Sequence, residues 1–112
     1  MSFSPESEKL TEQLIQAEYL NAVVNFGEKY NSLHEGYAVL KEEVEEVRDC
    51  YNSVLNTFHS LWDEIKCNET ICIKTSLNML EESVLNQIKE LAQVGAVLMK
   101  IKNTLEGGEN EN

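Results

Sequence analysis

Basic residues are scarce in this 112-residue chain: nine Lys and Arg stand against twenty Asp and Glu, a formal net charge of -11. Nine cations scattered singly cannot replace the counterions condensed on a nucleic acid or hold an anionic bilayer, so both are set aside as expected partners. An anionic small molecule would need metal cations between itself and the protein. Long apolar runs are missing as well. No stretch of 18 apolar residues offers a membrane span, and the start "MSFSPESEKL" has neither the basic flank nor the apolar core of a secretion signal, which points to the cytoplasm. Cysteine is sparse and odd in number. Cys50, Cys67 and Cys72 show no CxxC spacing, so they read as reduced thiols rather than as a disulfide framework or a zinc site. His34 and His59 complete no ExxH pair, which excludes a ferritin-like di-iron bundle and leaves both as surface residues.

What the chain does have is helical periodicity in a composition that is 42% hydrophobic, enough for one globular domain. The expected fold is all-α, a long-helix antiparallel hairpin or bundle. Ser4 as N-cap and Pro5 at the first helical position open a first helix, with Leu10, Leu14, Ala17, Leu20 and Val24 on one face up to about Phe26 and Gly27. After the link "EKYN", Ser32 and Glu35 form a capping box. From there Leu33, Tyr37, Leu40, Val44, Val47, Tyr51, Val54, Phe58, Leu61 and Ile65 recur at alternating steps of four and three, predicting one continuous helix with these residues in its seam. "KCNETICIKTS" reads as a turn leading into a third helix. That helix carries Leu77, Leu80, Val84, Ile88, Leu91, Val94, Leu98, Ile101 and Leu105, and is expected to stop at Gly107 and Gly108. The predicted domain is therefore 1–106, followed by a flexible acidic tail over 107–112.

A helix from Ser32 to Lys66 would run about 50 Å at 1.5 Å per residue, whereas a compact monomer of this length has a radius of gyration near ~13 Å. Such helices outreach a monomeric core, and a homodimer or homotetramer is expected to complete the bundle, with Ala92, Gly95 and Ala96 permitting close helix approach.

The stretch "LKEEVEEVRDC" crowds four glutamates into five positions, where like charges three and four apart cost a few tenths of a kcal/mol each. At about 100° per residue, Glu43 and Glu46 each precede a seam residue and lean toward one flank of the apolar stripe, with Val39 and Cys50. Glu42 points away and Glu45 lies to the other side near Lys41 and Arg48. The third helix repeats the offset: Glu90 precedes Leu91, Gln93 precedes Val94, and Val97 continues the flank. If the helices are antiparallel, Glu43 and Glu46 face Glu90 and Gln93 across a groove. Facing carboxylates repel unless a hard divalent cation such as Mg²⁺ joins them.

The pattern "LKEEVEEV" with "IKELAQVGAVL" resembles the MazG-like all-α nucleoside triphosphate pyrophosphohydrolases, whose signature is EExxE on one helix and ExxD on a later one. "EEVEE" matches the first through Glu42, Glu43 and Glu46, and "ELAQ" matches the second through Glu90, with Gln93 at the aspartate position. "HEGYAVLKEEVEE" and "LWDEIK" are similar to MazG-like proteins of phages and low-GC Gram-positive bacteria, in which glutamine is usual there. The resemblance covers roughly residues 33–102. The interval between the motifs is longer than in the family by about "VRDCYNSVLNTFHS", two heptads that leave the seam in phase.

The resemblance implies hydrolysis of a nucleoside triphosphate to the monophosphate and pyrophosphate. It implies Mg²⁺, or Mn²⁺, on Glu43, Glu46, Glu90 and Gln93, and a glutamate of the set Glu42, Glu43 and Glu46 to orient or deprotonate the attacking water. Trp62, Tyr37 and Phe58 could stack on a base, but Tyr37 and Phe58 hold seam positions and are read as core, and Trp62 as an interface anchor. Two functions stay open at this level: the pyrophosphohydrolase, weakened by the missing charge at Gln93, or a non-catalytic helical dimer serving as an interaction or regulatory module.

Overall fold

In the computed structural model, residues 2–110 are described. They form three helices, α1 (Pro5–Phe26), α2 (Leu33–Lys66) and α3 (Thr70–Asn110), with no strand among the described residues. The boundaries follow from local chemistry. Ser4 Oγ accepts the Ser7 N–H at 3.1 Å, and Pro5 takes the first helical position of α1. Gly27, at φ +86, leaves the helix while its N–H still bonds Val23 O at 2.9 Å. Ser32 Oγ caps α2 through the Glu35 N–H at 3.1 Å, and the Glu35 carboxylate reaches past it to the Asn31 side chain at 3.0 Å. Between α2 and α3 only Cys67, Asn68 and Glu69 are non-helical. Asn68 adopts the left-handed conformation at φ 55, which asparagine tolerates better than most residues.

The helix stop expected at Gly107 is absent, since α3 continues to Asn110. A Cβ at Gly107 would meet only the far end of the flexible Lys29 side chain, which can swing aside, so this contact does not require glycine. The helix end expected at Gly107 thus moves to Asn110, while residues 111 and 112 lie outside the described residues.

The chain divides into two compact units, with α2 and α3 contributing to both. One comprises the chain up to Val44 together with Leu91 onward. Its core is α1 seated on the small residues of α3: Ala92 and Ala96 are buried, and a Cβ on Gly95 would stand 2.9 Å from Ile15 Cγ2. The close approach expected between chains at Ala92, Gly95 and Ala96 is therefore made within one chain. The face of α1 also differs from expectation. Leu10, Leu14, Leu20 and Val24 are exposed, whereas Ile15, Tyr19 and Ala22 are half-buried. Two apolar stripes run side by side along α1, and the small residues of α3 accept the one led by β-branched Ile15. Polar ties close the unit: the Tyr30 N–H donates to Thr104 Oγ1 at 2.9 Å, and Asn103 Nδ2 donates to the Tyr19 hydroxyl.

Gly95→Val should destabilise the protein by about 1–3 kcal/mol despite removing a helical glycine, because overpacking against Ile15 outweighs the gain in propensity. Thermal melting followed by circular dichroism checks this.

The second unit, Glu45–Glu90, is the antiparallel hairpin of the end of α2 with the start of α3. Cys50 Sγ approaches Ser83 O at 3.8 Å, and Ser76, buried, donates its hydroxyl to the Glu64 carboxylate at 2.7 and 3.0 Å. The seam expectation is corrected along all of α2. Leu40, Val47, Val54 and Leu61 are half-buried, but Leu33, Tyr37, Val44, Tyr51, Phe58 and Ile65 are exposed. Each side of the heptad stripe needs its own neighbour, and a single chain supplies only one.

Candidate metal centre

The hairpin fixes which residues meet. With Cys50 against Ser83 in an antiparallel pair, a turn back along α2 and a turn on along α3 bring Glu46 to the level of Gln87 and Glu90. Carboxylate oxygens of Glu46 and Glu90 lie within 4.8 Å of each other, and Glu43, one turn before Glu46 on the same unbroken helix, offers an oxygen within that distance of Glu46. Glu43 and Glu90 are half-buried and Glu46 is exposed. Glu42 is exposed and stands outside this group, as the helical offset requires. The hairpin thus brings together Glu46 and Glu90, one from each acidic motif of the sequence.

Their electrostatics are those of an under-compensated site. Glu90 Oε2 is buried and receives no hydrogen bond among the described residues. Burial first, then the hydrogen-bonding carboxylate and charge of Glu46 beside it, raise the Glu90 pKa above the ordinary carboxylate value. The pair can relieve itself by holding a proton, or by holding a cation. The donor set is all oxygen, which suits a hard divalent ion. Mg²⁺–oxygen bonds of about 2.1 Å place two oxygens on one ion at most about 4.2 Å apart, so oxygens within 4.8 Å reach a shared ion by a small side-chain adjustment. Gln87 Oε1 is also buried with no hydrogen-bond partner among the described residues, adding a neutral oxygen one turn before Glu90.

Glu43 also borders a cavity of about 600 Å³ within the unit that contains α1, as does Gln93. The volume is that of a small-molecule site. Its wall mixes apolar side chains (Ala22, Phe26, Val39, Val97) with amides of Asn21 and Asn31, the cations Lys29 and Lys100, and the acids Glu18 and Glu35. Lys100 is almost fully buried. Its Nζ lies 4.3 Å from the centre of the Tyr30 ring and donates to Phe26 O at 3.4 Å. Burial, and then the charges of Glu43 and Glu35, raise the Tyr30 pKa, so its hydroxyl remains a proton donor at neutral pH.

Tyr37 and Phe58, read as core from the sequence, are exposed. All three thiols are free, and a hydrogen bond to Glu69 leads the causes that raise the Cys72 pKa, opposing the thiolate a zinc site requires. His34 and His59 are exposed. Three residues were missed by sequence reasoning: Gln87, Tyr30 and Lys100. Lys100 carries a signal, because steps of three and four from Glu90 through Gln93 and Val97 arrive at it. Gln87 lies three residues before Glu90 on the same flank. Tyr30, in a connecting link, carries none.

No protein-family profile, curated protein or solved structure matches the chain.

Proposed function

We propose that the protein is a Mg²⁺-dependent nucleoside triphosphate pyrophosphohydrolase, acting on ribo- or deoxyribonucleotides as at least a homodimer in the cytoplasm. The observation that carries the reading is the carboxylate pair Glu46 and Glu90, one from each helix of the hairpin, in motifs resembling those of the MazG-like enzymes; Glu43, of the same motif as Glu46, borders a cavity of nucleoside size within its own unit.

In this reading Glu43, Glu46 and Glu90 hold the cation, and Gln93 adds a neutral oxygen from the cavity wall. Bound Mg²⁺ or Mn²⁺ supplies neutralisation of the triphosphate and acidification of a water. The chain does the rest. Water attacks the α-phosphorus in line, the bond to the α–β bridging oxygen breaks, and pyrophosphate leaves. A glutamate of the group takes the water's proton. Lys100 and the Tyr30 hydroxyl offer donors to the nucleotide, while Phe26, Ala22 and Val97 give its base an apolar wall. The non-catalytic helical module is the second reading, favoured by one observation: Gln93 brings no charge where the resembled signature has aspartate.

Incubation with a panel of NTPs and dNTPs, with Mg²⁺ or Mn²⁺, should release pyrophosphate and the matching monophosphate from at least one. Absence of product across the panel, together with no metal-dependent change in melting temperature, would leave the helical module.

Metal stabilisation should depend on pH with a defined sign. The raised Glu90 pKa means that its contribution to stability is complete below the ordinary carboxylate value and is lost as pH rises through the raised one. A cation replaces the shared proton above that interval and competes with it below. The rise in melting temperature on adding Mg²⁺ should therefore be larger at about pH 8 than at about pH 5. Scanning fluorimetry at both values checks it.

A further inference from the structure

We propose that Gln87 is a ligand of the cation held by Glu46 and Glu90, its side-chain carbonyl supplying a neutral oxygen from within the hairpin. This rests on the metal-dependent reading above. It adds a residue that lies outside both acidic motifs, "EEVEE" and "ELAQ", and to which the resemblance gives no role.

Two oxygens of α3 carry the argument. Gln87 Oε1 and Glu90 Oε2 are both shut off from solvent, and neither receives a hydrogen bond among the described residues. Both side chains are only half-buried, so each reaches the surface with other atoms while the acceptor is the end turned inward. An acceptor buried without a donor destabilises the fold. Residues 87 and 90 are three apart on one helix and therefore neighbours on its surface. An amide carbonyl and an ionised carboxylate only accept, so neither oxygen can satisfy the other. A cation bonds to both.

The register of the hairpin supplies the third donor. Cys50 Sγ meets Ser83 O at 3.8 Å. Four residues back along α2 stands Glu46, and four on along α3 stands Gln87, at one level of the antiparallel pair. Glu46 in turn presents an oxygen within 4.8 Å of one from Glu90. All three residues belong to the one unit Glu45–Glu90. Two carboxylates match the charge of a divalent ion. An amide carbonyl then adds an oxygen without adding repulsion, and a hard cation takes both kinds of oxygen.

The test uses the full chain, freed of metal. Calorimetric titration with Mg²⁺ and with Mn²⁺, and the melting temperature without metal, are measured for the wild type, Gln87→Met and Gln87→Glu. Methionine is also unbranched and flexible, and it removes the carbonyl. Gln87→Met should weaken Mg²⁺ binding at least about tenfold and leave the metal-free melting temperature unchanged or higher, because the acceptor it removes has no donor. Gln87→Glu should reverse both signs, binding Mg²⁺ more tightly and melting lower without it, since a third carboxylate joins Glu46 and Glu90. Asn86→Ala, at the exposed neighbouring position, should leave the affinity unchanged. Equal Mg²⁺ affinity in the wild type and Gln87→Met overturns the proposal and leaves the site of Glu46 and Glu90 standing. So does a lower metal-free melting temperature in Gln87→Met, the mark of an amide that donates a hydrogen bond inside the fold. A wild type that binds neither ion overturns the metal-dependent reading itself, and this assignment with it. If Gln87→Met does not fold, Gln87→Glu decides alone: unchanged or weaker Mg²⁺ binding overturns the proposal.

Discussion

Glu90→Gln is expected to raise the melting temperature of the metal-free protein and, in the same variant, to lower metal-dependent hydrolysis by about 10³-fold. The two effects have one cause with opposite signs. Without a cation, the half-buried Glu90 carboxylate has its pKa raised by burial first and then by the hydrogen bond and charge of Glu46, and a neutral amide of the same shape removes that repulsion. With a cation, the amide withdraws a negative ligand from a group whose oxygens lie within 4.8 Å. Several kcal/mol of charge stabilisation are lost, and each 1.36 kcal/mol is worth about tenfold in rate. Stability against temperature and initial rates of pyrophosphate release, measured on one preparation, separate the two. A residue that merely filled space would lose stability and rate together.

Lys100→Met is expected to raise the KM for nucleotide by tenfold or more with a smaller change in kcat, and to lower stability by about 1–3 kcal/mol. Methionine keeps most of the apolar stem, so packing around Ala96 and Val97 is largely preserved. What disappears is the cation over the Tyr30 ring and its hydrogen bond to Phe26 O, a carbonyl at the end of α1 where helical partners run out. The KM effect follows from the position of Lys100 on the cavity wall, where it is a fixed positive charge available to an anionic ligand. Steady-state kinetics across nucleotide concentrations read the split, and an unchanged KM would confine Lys100 to a structural role.

The elements of the fold were legible because their signals are local. Ser4 with Pro5 and Ser32 with Glu35 each act within a few residues, and the structure uses both. The approach of Glu46 to Glu90 was legible for a related reason: equal offsets from two apolar stripes become equal positions on two antiparallel helices. Partner choice was not legible. Ala92, Gly95 and Ala96 announce a close approach without saying whether α1 or another chain makes it, and the residues along α1 present two stripes of similar hydrophobicity. The steps of four and three along α2 mark both halves of the seam as apolar, yet only Leu40, Val47, Val54 and Leu61 find cover in the single chain. Tyr30, which lines the cavity from a connecting link, depends on contacts about 70 residues distant and leaves no periodic trace.

The most direct measurement is a calorimetric titration of the metal-free protein with Mg²⁺ and with Mn²⁺, repeated on Glu46→Gln. Saturable binding to the wild type, with proton release that grows toward the raised Glu90 pKa, and its loss in the variant are the predicted results. Equal binding by both proteins, or none by either, would contradict the claim that side chains from two helices share one ion.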